Sequence, residues 1–403
     1  MESLILTLDP RFPGGVVTMQ RAIVAAHRQM GLLPVLGFAR MGGRDRWSPA
    51  LREQQGEQPS ISTGYLPTIE YLNYLLPAAR LRRTLRRFPI IQVVSGVHSA
   101  SLIPILAGRP FVSWVATPFV DEIVGRFAAE DSTLSIRVNH GLRALNQRLE
   151  KWTFRHPRFV FALSAYTARR LTAVAGLDAE RMAVLRCPID LTRFTPVGPS
   201  WLGRPKRYLL SVGRVDDPRK NAAALVRAYA PIAASFPDLD LVLVGKSQEP
   251  DNTVTRLVGS LGLSHRVYFT GHREESDLPA IYRGAEAFVM TSRQEGLGIA
   301  VMEAQASGLP VVVMRCGGSD ELVEAHNEHD RDGWLVEQGD EEGVTQALRE
   351  LASDVALRAR LGVNARRRAE QEYSFELFTS RVGDVYRRAF PEAFAGERAS
   401  FAG

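Results

Sequence analysis

Short apolar runs alternate with amphipathic stretches through the first half of the chain. Apolar residues recur at helical spacing over Val17–Met30, between the first two of these runs. The runs have the length of buried strands and lie at Leu4–Leu8, Leu33–Phe38, Ile90–Val94, Phe111–Val115 and Phe159–Leu163. This alternation predicts a mostly parallel sheet that is covered by helices.

The second half repeats the pattern with greater regularity. A helical stretch is predicted over Ala222–Phe236, and strands are predicted at Tyr208–Val212, Leu241–Val244, Val267–Thr270, Ala287–Met290 and Val311–Met314. Nearly continuous apolar strands are typical of a sheet that is buried on both faces. The fold class is therefore α/β, with two doubly wound domains in tandem and a cleft between them. Ligands of such sheets bind beyond the carboxyl ends of the strands.

A segment rich in proline and glycine, residues 195–205, separates the two halves. Such composition is typical of a linker. We therefore expect one domain over 1–195 and a second over 205–374. A last helical pattern, Phe375–Phe390, follows the second domain.

Composition excludes several classes of protein. The 403 residues are 45% hydrophobic and 23% charged, as in ordinary globular proteins. No apolar run approaches the roughly 18 residues of a membrane span, and the apolar stretch near the N-terminus is too short for a secretory signal. Two cysteines, Cys187 and Cys316, cannot build a disulfide framework. A reducing, cytoplasmic location is expected.

Charge is divided unevenly between the halves. Residues 1–200 carry a net charge of +11 and residues 201–403 a net charge of −5. A basic half suggests an anionic partner. Only four of the 50 basic residues are lysines, and a genomic base-composition bias is the preferred explanation of this excess of arginine over lysine.

The segment Ser292–Val313 contains the most informative residues. Gly296 and Gly298 permit a tight turn after a strand, and a helix is expected to begin near Gly298. The free N–H groups and positive end of that helix offer an anion site.

Glu295 and Glu303 flank this turn. If the intervening residues are helical, the two glutamates lie about 12 Å apart, farther than the roughly 5–9.5 Å between paired glycosidase carboxylates. The pair is better suited to two points of an elongated ligand with hydroxyls at each end and an anion between, as in a nucleotide sugar. The alternative is one loop glutamate and one solvated helix glutamate.

A second segment, Ser211–Asn221, follows the first strand of the second domain. Gly213 opens a turn, and Arg214 and Lys220 follow it. An arginine and a lysine that converge at a strand end form a clamp for a diphosphate; two solvated surface cations are the alternative. In the first domain, Gly14-Gly15 could bring backbone close to a phosphate or sugar.

These motifs resemble those of the retaining GT-B glycosyltransferases of family 4, also called glycosyl transferases group 1. The resemblance is carried by GRVDDPRKN, LVLVGKS, VYFTGHREESDLPAIYRGAEAFVMTS and EGLGIAVMEAQASGLPVVVMRCGGSDELV, and is strong over about residues 160–375. It implies two Rossmann-like domains that face a central cleft. The C-terminal helix, 375–403, would return to the acceptor-side domain 1–195, and 205–374 would bind the nucleotide sugar.

The resemblance also implies roles for individual residues. Glu295 would contact hydroxyls of the donor sugar and Glu303 the ribose hydroxyls, while Arg214 and Lys220 would contact the diphosphate. The other implied donor contacts are Gly15, Gly213, His272, Arg273, Gly296, Leu297 and Gly298.

One departure concerns the first domain. Family members often carry a histidine after the strand that is predicted at Phe111–Val115, and this chain has Ala116-Thr117-Pro118 there. His98, after the preceding strand, could partly substitute, so His98 and Thr117 are the candidate contacts for the acceptor or the transferred sugar.

Neither a cofactor nor a metal is expected. Two Asp-x-Asp pairs, Asp238/Asp240 and Asp330/Asp332, are typical of turns, and the resemblance implies a metal-independent reaction. The implied reaction is retaining transfer of a hexosyl group from a UDP- or GDP-sugar to a hydroxyl of a glycan or glycolipid. Charge on the leaving diphosphate would be stabilised by Arg214, Lys220 and the helix N-terminus.

A basic stretch, residues 77–88, suggests peripheral contact with an anionic membrane. Arg80, Arg83 and Arg87 share one helical face, and Leu81 and Leu85 lie on another. The alternative is a solvated helix that is packed by its leucines. Nucleic acid is not expected, because no recognised motif accompanies the charge. Two other functions remain open: a GT-B phosphorylase or isomerase, and a non-catalytic protein that binds nucleotide sugars.

Overall fold

The computed structural model describes residues 1–7, 15–38, 51–52, 59–62, 81–95, 98–128, 134–201, 207–247, 251–323 and 329–395. The chain divides into two compact units. The first consists of Met1–Phe127, Ser132–Pro188 and Phe375–Gly403, and the second mainly of Ile189–Ser374.

The described strands and helices alternate along most of the chain. The strands are β1 (Glu2–Thr7), β2 (Leu33–Phe38), β3 (Leu51–Arg52), β4 (Ser60–Ser62), β5 (Ile90–Val94), β6 (Val112–Val115), β7 (Phe159–Ala162), β8 (Met182–Val184), β9 (Arg207–Val212), β10 (Leu239–Val244), β11 (Val267–Phe269), β12 (Ala287–Met290), β13 (Val311–Met314) and β14 (Gly333–Val336). The helices are α1 (Gly15–Gln29), α2 (Leu102–Leu106), α3 (Phe119–Ala128), α4 (Leu134–Gly141), α5 (Arg143–Thr153), α6 (Ala165–Ala175), α7 (Ala222–Ser235), α8 (Thr253–Ser260), α9 (Leu278–Gly284), α10 (Ile299–Ala306), α11 (Glu341–Ser353), α12 (Val355–Glu372) and α13 (Phe375–Ala389).

The first unit is built on an eight-stranded sheet in the order β3-β4-β2-β1-β5-β6-β7-β8. Its pairs are parallel except for the antiparallel pair of β3 and β4. The chain reverses its direction of progress through the sheet between β1 and β5. In open α/β sheets the crevice at such a reversal is where ligands bind.

A buried polar network joins α13 to α1 in the first unit. The His27 ring contacts Ser3 Oγ through Nδ1 and the Tyr386 hydroxyl through Nε2, each at 2.7 Å. The Tyr386 hydroxyl also donates to Gln92 Oε1 at 2.9 Å. Burial lowers the pKa of His27 to about 3, so the ring is neutral at physiological pH. The last long helix is therefore part of the core of the first unit.

The second unit is built on a six-stranded parallel sheet in the order β11-β10-β9-β12-β13-β14. Its core includes buried residues of β9, β10, α7 and α11, among them Leu209, Leu241, Tyr229 and Leu348. The order reverses between β9 and β12, which defines a second crevice of the same kind.

The strands β9 and β12 separate before they end. Their register pairs Ala287 with Leu209 and Phe288 with Leu210. In contrast, β9 pairs with β10 as far as Val212, and β12 pairs with β13 as far as Met290. The carboxyl ends of β9 and β12 are therefore free of one another, and side chains that follow them can enter the gap.

The predicted elements are largely present, with differences at the sheet edges. The short strands β3, β4, β8 and β14 were not predicted, because runs of two to four residues carry little periodicity. The last helical pattern, predicted over Phe375–Phe390, is the helix Phe375–Ala389 and is followed by a short helical turn at Pro391–Ala393. The end of the longer span 375–403, residues 396–403, lies outside the described residues. In the basic stretch 77–88, residues 81–85 are helical, and Leu81 and Leu85 are buried. Arg80 lies outside the described residues.

Candidate functional site

An ion pair lies at the point where β9 and β12 separate. Lys220, in the turn after β9, places Nζ 2.5 Å from Oε1 of Glu295, which follows β12. The Ser292 hydroxyl donates to the same carboxylate oxygen at 2.8 Å. Both charged side chains are largely buried, with 30% of Lys220 and 14% of Glu295 exposed. The structure thus brings together two residues that the sequence selected separately.

Backbone contacts fix the turn that carries Lys220. The Thr291 hydroxyl donates to the carbonyl of Asn221 at 3.0 Å, and the N–H of Arg293 donates to the carbonyl of Arg219 at 2.7 Å. Asn221 itself adopts a left-handed conformation with φ of 51°, which ends the turn and begins α7. The loop after β12 therefore holds the turn after β9 in place.

Arg214 is more exposed than Lys220 and pairs with a different carboxylate. Its guanidinium lies 2.5 Å from Asp217, and 56% of its side chain is exposed. Asp217 also pairs with Arg219 at 2.9 Å. Arg214 and Gly213 line a small recess with Lys220 and Ser292. Arg214 therefore borders the same recess as the ion pair without joining it.

Glycines allow the backbone to approach closely around this recess. A side chain on Gly245, which follows β10 with φ of +148°, would lie 1.9 Å from the carbonyl oxygen of Gly213. A side chain on Gly318 would lie 1.8 Å from that of Gly296. These carbonyls occupy the space of the missing side chains, and any larger residue would displace one of the two turns.

The turn before α10 is supported by the loop after β13. The N–H of Glu295 donates to the carbonyl of Cys316 at 3.2 Å, and the N–H of Gly318 donates to the carbonyl of Glu295 at 3.0 Å. Gly298 precedes the helix in a left-handed conformation with φ of +88°. The N–H groups of Val301 and Met302 donate to the carbonyl of Gly298 at 2.9 and 3.4 Å, which leaves those of Ile299 and Ala300 without a helical partner. They form a positive helix end beside Glu295.

The structure differs from the sequence-based expectations for Leu297 as a donor contact and for the separation of Glu295 and Glu303. The Leu297 side chain is buried, at 2% exposure, so only its backbone is available to a ligand. The helix begins at Ile299, so the distance of about 12 Å expected for an all-helical Glu295–Glu303 separation does not apply. Glu295 belongs to a loop, and only Glu303 belongs to α10.

Glu303 is half-buried and held by a tyrosine. The Tyr282 hydroxyl of α9 donates to Glu303 Oε2 at 2.8 Å. Burial raises the pKa of Glu303 to about 7, while the hydrogen bond from Tyr282 acts in the opposite direction. This carboxyl group changes charge near neutral pH.

The remaining candidate of the second unit is the loop after β11. His272 is largely exposed and lies 3.9 Å from Glu274. The Arg273 guanidinium lies over the Trp201 ring at 5.5 Å. Because all six strands are parallel, this loop lies at the same edge of the sheet as Lys220 and Glu295.

The first-unit candidates lie at or after the ends of β1, β5 and β6. Gly15 is the exposed first residue of α1, and His98 begins a helical turn at His98–Ser101 after β5. Thr117 is half-buried in the connection to α3. Gly15 and His98 thus follow the two strands between which the order of this sheet reverses.

Buried contacts fix the connection that contains Thr117. The Thr167 hydroxyl donates to the carbonyl of Ala116 at 2.8 Å. The Glu150 carboxylate accepts from the N–H groups of Phe119 and Val120 at 2.5 and 3.4 Å, at the start of α3. Burial raises the pKa of Glu150 to about 7.

The aspartates of the two Asp-x-Asp pairs lie next to arginines. They pair as Arg207 with Asp238, Arg266 with Asp240, Arg367 with Asp330 and Arg368 with Asp332. Within the described part of the chain, no three His, Cys, Asp or Glu side chains form a group that could hold a metal ion.

Sequence reasoning missed three supporting residues, Tyr282, Ser292 and Glu150. Tyr282 and Ser292 lie inside the quoted motifs, but hydrogen bonds between separate elements leave no periodic signal. The sequence gives no signal for Glu150, because its burial is seen only in the structure.

Comparisons with known proteins agree with this architecture. Superposition on sucrose-phosphate synthase of Thermosynechococcus elongatus gives a TM-score of 0.76 at 20% identity, covering 97% of this chain and 100% of that one. HepE of Anabaena in complex with UDP gives 0.74 at 21% identity, covering 96% and 100%. The fold is therefore that of the GT-B glycosyltransferases.

Sequence profiles identify the family. A profile described as Glycosyltransferase Family 4 matches residues 13–193, and one described as Glycosyl transferases group 1 matches residues 202–368. The chain belongs to this family of glycosyltransferases.

Curated relatives match part of their own length. A GDP-mannose-dependent monoacylated alpha-(1-6)-phosphatidylinositol monomannoside mannosyltransferase of Corynebacterium glutamicum is 30% identical over 55% of this chain and 60% of its own. A D-inositol 3-phosphate glycosyltransferase of Salinispora arenicola is 34% identical over 53% and 50%. The matched region thus spans about half to three fifths of these relatives.

Proposed function

We propose that this protein transfers a hexosyl group from a nucleoside diphosphate sugar to a hydroxyl of a glycan or glycolipid, with retention and without a metal. The observation that carries the proposal is the Lys220–Glu295 pair at the separation of β9 and β12. A cation, a carboxylate and a helix N-terminus at one sheet edge match the diphosphate and hydroxyls of such a donor.

The donor would contact the second unit at successive points along this edge. Lys220, Arg214 and the N-terminus of α10 would bind the diphosphate, and Glu295 the hydroxyls of the sugar. Glu303 would bind the ribose hydroxyls, and the loop with His272 and Arg273 would border the base. Gly213, Gly296 and Gly298 would allow the backbone to approach the donor.

Binding would redistribute the charges of the recess. The diphosphate competes with Glu295 for Lys220 and with Asp217 for Arg214, so the carboxylate of Glu295 is released toward sugar hydroxyls. As the bond to the sugar breaks, negative charge grows on the leaving phosphate, where Lys220, Arg214 and the helix end stabilise it. The Asp-x-Asp carboxylates lie at the amino ends of β10 and β14, at the edge of the sheet opposite this recess, and they pair with arginines, so the proposed reaction does not use them.

GDP-mannose is the first donor to test. Two relatives, from Corynebacterium glutamicum and Mycolicibacterium smegmatis, are named as GDP-mannose-dependent. UDP-glucose is the second, because the HepE structures contain UDP and UDP-glucose. The lipid and inositol phosphate acceptors named for the relatives favour an anionic acceptor bearing hydroxyls.

The experiment combines binding with transfer. UDP, GDP and ADP at about 1 mM should each be tested for thermal stabilisation, since a ligand of the native state raises stability by mass action. One diphosphate should stabilise the wild type, and Glu303→Ala should lose most of that shift. Transfer from the matching sugar donor must then occur without added phosphate. Phosphate-dependent turnover would identify a phosphorylase, and binding without turnover would identify a binding protein.

Peripheral contact with an anionic membrane, at its cytoplasmic face, is the second part of the proposal. Along α5, Leu145 and Trp152 are 51% and 42% exposed, and Arg148 and Lys151 are exposed beside them. A tryptophan next to cationic side chains suits a lipid headgroup region. None of the helices among the described residues has both the length and the apolar character needed to cross a membrane.

Vesicle sedimentation tests this contact. The wild type should bind vesicles containing phosphatidylglycerol and not vesicles of phosphatidylcholine alone, and Arg148→Glu with Lys151→Glu should lose the binding. Arg256→Glu with Arg349→Glu changes the net charge equally in the second unit and should retain it. Equal loss of vesicle binding in both double variants would contradict a specific role for α5.

A further inference from the structure

Tyr282 contacts the one candidate donor residue that lies inside α10. Its hydroxyl donates to Glu303 Oε2 at 2.8 Å. A phenol has a single proton to donate, so Glu303 is the acceptor of that bond. No second hydrogen bond to this carboxylate is present among the residues that the structure describes, so Oε1 is left to a ligand.

The position of Tyr282 is fixed from several sides. Its ring packs edge-on against Phe194 at 5.8 Å and in a tilted arrangement against Phe288 at 5.9 Å. The Tyr208 hydroxyl donates to the carbonyl of Ile281 at 2.6 Å, which holds α9 on the sheet. Tyr282 is fully buried, so its hydroxyl cannot exchange Glu303 for water.

Burial and neighbouring charges act on the pKa of Glu303 together with this hydrogen bond. Burial raises the pKa of Glu303, and the negative charge of Glu275 acts in the same direction. The hydrogen bond from Tyr282 and the positive charge of Arg193 lower this pKa. Two groups in the described part of the chain favour the ionised form of Glu303, and these are Tyr282 and Arg193. Without the tyrosine hydroxyl, Arg193 alone would do so.

We propose that Tyr282 is a positioning residue: its hydroxyl holds one oxygen of Glu303 and thereby aims the other oxygen at the nucleotide. The proposal rests on the proposed function, in which Glu303 binds the ribose hydroxyls. A protonated carboxyl group is a weaker acceptor than a carboxylate. Loss of the tyrosine hydroxyl should therefore weaken nucleotide binding most in the pH range in which it causes Glu303 to be protonated.

The first test compares Tyr282→Phe with Tyr229→Phe. Tyr229 is a buried tyrosine of the same unit whose hydroxyl donates to the carbonyl of Leu239. For the diphosphate that wild type binds, Tyr282→Phe should weaken affinity about tenfold near pH 7 and less than about threefold near pH 9. Tyr229→Phe should show no such pH dependence. An equal deficit at both pH values would assign Tyr282 a purely structural role and overturn the proposal.

A double-mutant cycle tests whether Tyr282 acts through Glu303. In a Glu303→Gln background, Tyr282→Phe should cause no further pH-dependent loss, because the neutral amide does not titrate. A full additional loss in this background would contradict the proposal.

A ligand-free measurement separates this proposal from the proposed function. The pKa of Glu303 is higher in the folded state than its ordinary value of 4.5, so its contribution to stability falls as pH rises from about 4.5 to about 7. Tyr282→Phe should extend this fall to higher pH, and Tyr229→Phe should not. If wild type binds none of the three diphosphates, the proposed function fails. The change in the pH dependence of stability between wild type and Tyr282→Phe still decides whether Tyr282 acts on Glu303.

Discussion

Lys220 and Glu295 form an ion pair at 2.5 Å although 75 positions separate them in the chain. Each follows one of the two strands that part at the carboxyl edge of the second sheet. The carboxylate neutralises the lysine, which limits the cost of keeping a charge in a recess. In the proposed function, a diphosphate would take the place of the carboxylate.

Replacing Lys220 by methionine should abolish most of the activity. Removal of a cation that stabilises developing charge lowers turnover about 100-fold, and it also leaves Glu295 without its cationic partner. Donor turnover and diphosphate affinity would be measured in solution. Arg349→Met, on α11 of the second unit, serves as the control and should remain near wild type. Turnover of Lys220→Met within about threefold of wild type would exclude the proposed role.

Gly318→Ala should reduce donor binding through the backbone. Its new methyl group would lie 1.8 Å from the carbonyl oxygen of Gly296, so the turn before α10 must move. Gly259→Ala, on α8 with nothing within 4 Å, should instead raise the free energy of unfolding by about 0.5–1 kcal/mol. Calorimetry with and without nucleotide compares the two. Unchanged affinity in Gly318→Ala would show that this turn does not contact the donor.

Glu150→Gln should change how stability depends on pH. The pKa of Glu150 is raised to about 7 in the folded state, mainly by burial. The wild type therefore loses stability as pH rises from about 4.5 to about 7, and the variant does not. Between pH 5 and pH 8, the free energy of unfolding of the variant should rise relative to that of the wild type by about 2 kcal/mol. Denaturant unfolding measures this difference, and parallel curves for both proteins would contradict the assignment.

Tyr386→Phe should loosen α13 from the first unit. The change removes the hydrogen bonds to His27 and Gln92 and should cost about 1–3 kcal/mol. Because the pKa of His27 is lowered to about 3, stability also falls as pH drops below about 6.5, and His27→Gln should remove that acid dependence. Hydrogen exchange along α13 reports the loosening, with Tyr229→Phe as control. Unchanged exchange in α13 would assign its attachment to other contacts.

Sequence alone predicts the two sheets well, because strands that are buried on both faces have continuous apolar sequences. The runs around Val242 and Val312 each form an interior strand of the second sheet, paired on both sides. The glycine turn before α10 was also predicted, since Gly298 is the residue type that tolerates a positive φ. These features depend on local sequence.

Features that depend on two distant segments were not predicted. The hydrogen bond between Tyr282 and Glu303, the ion pair between Lys220 and Glu295, and the cap that Glu150 forms on α3 each join separate elements. Residue type shows that such a side chain can bond, but only the fold selects the partner. For the same reason, the sequence left the donor base and the acceptor open.

The bond between His27 and Tyr386 has a consequence for how the protein is made. The two residues lie 359 positions apart, and ribosomes add about 5–20 residues per second. The first unit therefore waits on the order of tens of seconds for the helix that completes its core, while the second unit is synthesised in between. During that interval the histidine lacks its tyrosine partner, and the growing chain presents an unfinished surface to the chaperones of the cell.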